Sequence, residues 1–392
     1  MKDHVDSANE RTVQLEKNTA NYCGNFYKGL YVQKNTSDSV SVSACCVNTL
    51  SPRSYNTIDF SSNSHLLSQR NNERSVGCDE CWRQESAGQH SYRQMANQWY
   101  AENFPDHDPY EVKLLKLDYN LDPVCNAKCI TCGSWFSSLW AQEDRQFGQK
   151  SSLRVFGDIK QNTAIEQLDL GSLRRIYFNG GEPLLSTELV AILQKIQRAQ
   201  GDLCNLHCQL STNGSITPDN ELIKLWQQCK KVDIWVSLDA IGAQFEYIRY
   251  PLQFDQVWKN CCFLGGLAPN IKVGFSFTVG VHNIDHYATA ISWIGDHDRM
   301  LNSSGCGINH CYGDLSVDKA SRVLLKSWKQ KFSQDGPQWQ KDLNQQICNL
   351  QGQSDDTVWQ NRLAMIDQRR GLNWRTSLPE LAEQEKLALQ FL

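Results

Sequence analysis

The sequence predicts an α/β fold: a partial (β/α)6, TIM-like barrel of parallel strands, preceded by a small cysteine-rich domain and followed by a helical extension. Three observations point there. Between residues 109 and 314, short β-branched and aromatic runs alternate six times with segments of helical period, the pattern of a parallel sheet with crossover helices. Six units fall short of the eight of a closed barrel, so the sheet is expected to stay open. Residues 21–108 hold five cysteines but too few apolar side chains for a good core, a composition that calls for a metal or another staple. From Leu315 onward only helical stripes remain.

Taken in order, residues 1–20 are polar and mixed in charge, which reads as a loosely ordered tail and not as a secretory signal. Residues 30–32 and 40–42 read as strands with a turn over 34–39. Residues 51–75, rich in Ser, Asn and Arg, read as a surface loop. One helix is expected over 85–100, with Tyr92, Met95 and Trp99 facing the barrel, and Asp106 and Pro109 mark a linker. The first barrel strand is placed at 112–117, and its helix has Phe136, Leu139, Trp140 and Phe147 as the apolar face. The second strand is 175–179; Leu189, Ile192, Leu193 and Ile196 stripe its helix, with Ser186 as N-cap and Gly201 as stop. The third strand is 206–211, and Thr217 and Pro218 open the next helix. Strands at 233–238, 272–279 and near 307–312 complete the six, with helices near 254–264 and 285–294 between them. Leu324, Leu325, Trp328 and Phe332 form one packing stripe of the C-terminal region, and Trp339, Leu343, Ile347 and Leu350 another.

At 392 residues and 40% hydrophobic content the composition is that of an ordinary soluble protein of two or three domains. No apolar run approaches the ~20 residues of a membrane helix. With a net charge of -4 and no basic run longer than two residues, a nucleic-acid surface is not the expected partner. Sixteen cysteines without a secretory signal point to metal or redox use in a reducing cytoplasm and not to disulfides.

The organising stretch is Cys125-Asn-Ala-Lys-Cys129-Ile-Thr-Cys132, directly after the first strand. Three thiolates can hold three irons of a four-iron cubane and leave the fourth open, whereas ordinary four-iron clusters take four cysteines. A zinc knuckle needs a fourth ligand, and no Cys or His follows Cys132 at short spacing. The second motif, Tyr177-Phe-Asn-Gly180-Gly181-Glu182-Pro183, ends the second strand in two glycines and a carboxylate. Ser211-Thr212-Asn213-Gly214 follows the third strand, Ser237-Leu-Asp239 ends the fourth, and His282 and Asn283 follow the fifth. Parallel barrels bind ligands at the carboxyl ends of their strands, so these stretches are expected on one face. In the N-terminal segment, Cys23, Cys45 (or Cys46), Cys78 and Cys81 can supply four thiolates to zinc or to an iron–sulfur cluster. Strand alternation sends Cys45 and Cys46 to opposite faces, so one ligates, with Cys45 favoured.

The C-x3-C-x2-C motif with a later G-G-E-P turn resembles the radical S-adenosylmethionine (SAM) enzymes. The N-terminal thiols resemble the auxiliary-cluster module called twitch, related to SPASM, placed here ahead of the barrel over 21–108. The resemblance implies the partial barrel as core over 109–314, with 315–392 as extension. It implies a 4Fe-4S cluster on Cys125, Cys129 and Cys132 with SAM on its open iron, and Gly180, Gly181 and Glu182 at the SAM amino group. Thr212 and Ser237 would contact the ribose or carboxylate, and Arg249 the carboxylate. It further implies an auxiliary iron–sulfur cluster, with 4Fe-4S favoured, and reductive cleavage of SAM to methionine and a 5'-deoxyadenosyl radical that takes hydrogen from a substrate. Flavodoxin or ferredoxin would donate the electron. Twitch and SPASM relatives often crosslink, epimerise or oxidise ribosomally made peptides; others act on sugars, nucleosides or small molecules. Thr131 departs from the pattern, since relatives carry a bulky residue before the third cysteine, against the adenine. A non-catalytic iron–sulfur electron carrier has no need of the Gly-Gly-Glu turn, and metal analysis separates a zinc-stapled binding protein. Cys306 or Cys311, near the sixth strand, could give a hydrogen atom to a substrate radical.

Overall fold

The computed structural model describes residues 21–36, 39–46, 53–55, 77–86, 90–150, 168–297, 301–332 and 335–389, with residues 74, 88 and 165 between them. The expectations for 1–20 and for most of 51–75 lie outside the described residues. Among these residues the strands are β1 (Gly29–Thr36), β2 (Ser39–Ser43), β3 (Arg53–Tyr55), β4 (Lys116–Asn120), β5 (Arg175–Asn179), β6 (His207–Thr212), β7 (Lys231–Ser237), β8 (Ile271–Val279) and β9 (Ser303–His310). They form one nine-stranded sheet in the order β3-β2-β1-β4-β5-β6-β7-β8-β9. From β4 to β9 each strand pairs in parallel with the next in sequence, as six strand–helix units require.

Among the described residues, the helices ahead of the barrel are α1 (Asn25–Lys28), α2 (Asp79–Ser86) and α3 (Tyr92–Asn103). Those between its strands are α4 (Ser138–Gln146), α5 (Glu188–Gln200), α6 (Asn220–Gln228), α7 (Gly242–Ile248), α8 (Phe254–Gly265) and α9 (Tyr287–His297). After β9 come α10 (Arg322–Lys331), α11 (Gln338–Ile347), α12 (Thr357–Arg370), α13 (Trp374–Ser377) and α14 (Pro379–Leu389). No helix among the described residues is long and apolar enough to cross a membrane.

The cysteine-rich segment joins the barrel sheet directly. β1 pairs in parallel with β4, Tyr31 opposite Asp118, while β2 and β3 add antiparallel strands beyond it. β3 lies inside the expected loop; an edge strand is held by backbone bonds to its neighbour, so Arg-Ser-Tyr needs no apolar alternation. The helix expected over 85–100 is two. Ser91 Oγ accepts from the Gln94 N–H and the Gln94 side chain accepts from the Ser91 N–H, a capping box that starts α3 anew. Its buried face is Ala96, Asn97, Tyr100 and Ala101; Met95 is 48% exposed, so the expected stripe is not the buried one.

β4 begins four residues later than expected, at Lys116. All five of its residues are buried, but Leu117 and Tyr119 join the main apolar core while Lys116, Asp118 and Asn120 alternate to the other side. A strand with a polar inner face loses its apolar signal where it starts. Likewise α4 buries Trp140 and Ala141 and leaves Phe136 and Phe147 exposed. Thr187 holds the N-cap position of α5 without a side-chain cap bond; Ser186 Oγ, one residue earlier, accepts from the Glu188 N–H (3.4 Å), as a capping hydroxyl does, and also donates to Asp122 Oδ2 (3.2 Å). α6 starts beyond Thr217 and Pro218, where Asp219 accepts from the Leu222 N–H. The stripe of α5 is buried as expected, and Gly201 ends that helix with φ +86°.

The main core joins the outward side chains of the strands to Leu324, Trp328, Trp359 and Leu363 of the C-terminal helices. The N-terminal segment keeps two small clusters, Tyr22, Cys23, Phe26, Tyr27 and Ala44, and Ala96, Tyr100 and Leu115. Across the inner face of the sheet run polar pairs: Asn120 with Tyr31 (3.2 Å), Tyr177 with Ser211 (2.6 Å) and Arg175 with Gln209 (2.6 Å).

Candidate active site

The loop leaving β4 and the turn leaving β5 run side by side. The Gly181 N–H donates to Asp122 O (3.0 Å) and the Glu182 N–H to Val124 O (2.8 Å). A Cβ on Gly181 would lie 2.3 Å from Val124 O, and Gly180 has φ +137°; side chains fit neither position. The cysteine loop is then held from several elements. The Cys125 N–H donates to Ser138 Oγ (3.1 Å) and Trp140 Nε1–H to Cys129 O (2.8 Å). Ile130 and Lys128 N–H groups donate to Ile248 O (2.8 Å) and Tyr250 O (2.6 Å). Arg362 Nη2, from α12, donates to Cys132 O (2.8 Å) and Ile130 O (3.2 Å).

Cys129 is buried, and Cys125 and Cys132 are half-buried. Burial, then the charge of neighbouring thiols, pushes Cys125 up to about 11 and Cys132 up to about 12. Burial also raises Cys129, against the pull of Arg249, whose Nη1 lies 3.6 Å from Cys129 Sγ. Three such thiols keep their protons until a metal centre takes their place. Their number, their common loop and the cation beside them fit a cluster bound through three cysteines.

Glu182 is buried, and both its oxygens accept from the protein. Oε1 takes Thr212 Oγ1–H (2.7 Å) and the Leu184 N–H (3.1 Å); Oε2 takes the Asn213 N–H (2.7 Å). Burial raises its pKa against these bonds. Asn213 Nδ2 donates to Asn126 Oδ1 (2.8 Å), and Asn126 Nδ2 to Ser215 Oγ (2.9 Å). The cysteine loop, the Gly-Gly-Glu turn and the loop after β6 are thus one network. Asn126 lies inside the motif, and a side-chain amide between two motif cysteines is the only signal the sequence carries for it.

α7, absent from the sequence expectation, delivers Arg249 to this network. Arg249 Nη2 donates to Asp239 Oδ2 (2.6 Å), and Asp239 Oδ1 accepts the Thr278 N–H (2.6 Å). Asp239 has φ +63°, an unusual backbone state for a non-glycine residue, found more often at functional sites. Arg249 Nε and both ring nitrogens of His282 are buried without a hydrogen-bond partner. Burial, then the charge of Arg249, pushes His282 down to about 3, so its ring is neutral. Each such orphaned group costs about 1–3 kcal/mol unless a ligand or water meets it. Ser237 ends β7 half-buried, opposite Ser276 in the ladder. Thr131 is half-buried beside Cys132.

A second site lies in the N-terminal segment. Cys23, Cys45, Cys78 and Cys81 line one cavity with Trp82, Tyr92 and Arg93. Cys45 faces the cavity; Cys46 lies nearer Asp118, Lys116 and Tyr92, on the side of β4. Burial pushes Cys23 up to about 12. Arg93 is fixed by Glu85 (2.6 Å) and Tyr22 O (2.7 Å) and lies 4.5 Å over the Trp82 ring. The thiols surround the cavity without meeting at a point: among the described residues no three His, Cys, Asp or Glu converge closely enough for one metal ion. Tyr92 joins this cavity to the barrel, its hydroxyl donating to Asp118 Oδ2 (3.2 Å) and accepting from Lys116 Nζ (2.6 Å).

Neither a family model nor a curated protein matches the sequence. Among solved structures the chain is similar to anSMEcpe with bound AdoMet, at 18% identity over 56% of this chain and 57% of that one, with a TM-score of 0.42. The match thus spans little more than half the length of anSMEcpe. It is also similar to Streptococcus suis SuiB bound to S-adenosylmethionine, at 9% identity over 76% of this chain and 67% of that one, TM-score 0.33. For SuiB bound to precursor peptide SuiA the values are 10%, 78%, 68% and 0.38.

Proposed function

We propose that this chain is a radical SAM enzyme with two iron–sulfur clusters, and that its substrate is a ribosomally made peptide that it crosslinks, epimerises or oxidises. The observation that carries the reading is the three-thiol loop at the end of β4, bonded into the Gly-Gly-Glu turn and touched by a buried guanidinium. When bound there, a reduced 4Fe-4S cluster with SAM on its open iron supplies the electron that cleaves the sulfonium to methionine and a 5'-deoxyadenosyl radical.

The chain's own residues place and shield that chemistry. Arg249 offsets negative charge at Cys129, and its free Nε is a donor for a ligand carboxylate. Asp239 fixes that guanidinium. Glu182 locks the ends of β5 and β6 together, so that Thr212 and Asn213 keep a fixed position beside the loop. The polar inner face formed by Asp118, Asn120, Tyr177 and Ser211 suits a substrate with polar groups. The peptide assignment rests on the resemblance of the four-thiol segment to the twitch module.

The test is anaerobic reconstitution of the full chain, with iron and sulfide counted, then incubation with dithionite and SAM. The wild type is expected to release methionine and 5'-deoxyadenosine, and the Cys125→Ala/Cys129→Ala/Cys132→Ala variant neither, while keeping iron at the N-terminal site. A fully loaded wild type that releases neither product favours an electron carrier. Zinc in place of iron favours a stapled binding protein.

A further inference from the structure

We propose that Arg362, on α12 of the C-terminal segment, is a positioning residue of the three-cysteine loop, holding Cys129 and Cys132 in the arrangement that receives a cluster. The inference rests on the cluster reading above. In the second half of the loop, the carbonyls of Cys129, Ile130 and Cys132 are met from outside it: the first by Trp140 Nε1–H (2.8 Å), the other two by Arg362 Nη2 (3.2 and 2.8 Å). The Arg362 guanidinium also lies 4.7 Å over the Trp140 ring. The two donors therefore brace each other, and a planar cation on an indole face is a favourable contact.

The rest of α12 fixes where Arg362 stands. Arg370 pairs with Glu143 (3.2 Å), and Glu143 with Lys128 of the loop (2.6 Å). Arg369 pairs with Asp144 (2.8 Å). Arg362 instead spends its bonds on backbone carbonyls adjoining the thiols, and it is crowded by the charges of Arg369 and Arg370, with Asp314 the chief opposing charge. A cation kept there is better balanced when the loop carries an anionic cluster than when its thiols are protonated. Arg362 thus has two effects on the loop, backbone geometry and positive charge, which separate experimentally.

The experiment uses the full chain as wild type, Arg362→Ala and Arg362→Lys. In the reduced, iron-free protein, iodoacetamide labelling is followed by peptide mass spectrometry at Cys129 and Cys132, with exposed Cys204 and buried Cys208 as references. Arg362→Ala is expected to speed labelling of Cys129 and Cys132 several-fold at unchanged Cys204 and Cys208. After reconstitution it is expected to hold less iron at the loop, and its remaining loop cluster to have a lower midpoint potential. Arg362→Lys is expected to bring the potential back towards wild type because the charge remains. If Arg362→Ala does not fold, Arg362→Lys against wild type decides the labelling, with faster loop labelling expected. Wild-type labelling in the folded variant, or Cys208 opening in step with the loop, overturns the proposal. A wild type that binds no iron at the loop removes the cluster reading itself, a result visible before any variant is compared.

Discussion

Glu182 ties the turn after β5 to the end of β6 through its carboxylate. Three donors reach its two oxygens, and a glutamine would turn an N–H towards one of them. Glu182→Gln is expected to lose about 1–3 kcal/mol of stability, read from urea unfolding, and on the proposed function to weaken SAM binding by calorimetry with the reconstituted protein. Unchanged stability would mean that these buried bonds are not held in solution. Gly181 is constrained by space alone. In Gly181→Ala the new Cβ meets Val124 O, one residue before Cys125, so either turn or loop must shift. The expected loss is about 1–3 kcal/mol, with reduced iron at the loop; a fully loaded and equally stable variant would show that the close approach is absent.

At the scale of elements, the sheet is tied at the amino ends of β6, β7 and β9 by Asp233. It accepts from His207 (2.7 Å), Lys231 (2.7 Å) and Ser304 (3.0 Å). Burial disfavours the Asp233 charge, but the bonds from His207 and Lys231 outweigh it and hold the carboxyl well below its usual range. Burial lowers His207 despite Asp233. Both groups therefore hold fewer protons folded than unfolded. Their contribution is complete above the unfolded histidine value of about 6.5. It is lost as pH falls, through His207 first and through Asp233 below about 3.9. Lys231 is exposed, so its share is small. Asp233→Asn is expected to lose about 1–3 kcal/mol at pH 7 and to show a flatter acid limb; urea midpoints at pH 7, 5 and 4 measure both. Parallel acid limbs for variant and wild type would remove Asp233 from the account.

Over the whole molecule, the N-terminal thiols sit among two small apolar clusters separate from the core that unites strands and C-terminal helices. Cys78→Ala/Cys81→Ala should therefore loosen the segment around α1, α2 and α3 and leave the barrel intact. Hydrogen exchange is expected to rise within 21–28 and 77–103, with β5 to β8 protected as in wild type. On the proposed function, reductive cleavage of SAM should persist in this variant while peptide turnover stops, since the loop at Cys125 is not built from these thiols. A folded variant that no longer cleaves would mean that the N-terminal cluster feeds the first electron.

What the sequence determined by itself is what depends on neighbours a few residues apart. The six-fold alternation, the buried stripe of α5 and the stop at Gly201 follow from local period and backbone freedom. The thiol spacing and the Gly-Gly-Glu turn were legible for the same reason. Tertiary structure decided what depends on which strand lies beside which. It placed β1 on β4, turned Cys45 and not Cys46 to the thiol cavity, and set Thr212 and Asn213 on Glu182. It also brought Asp239 to Arg249 and carried Arg362 across some 230 positions to the Cys132 carbonyl. These contacts are made by polar side chains on inner faces and loops, where no apolar period exists to announce them, and only the packed sheet gives them partners.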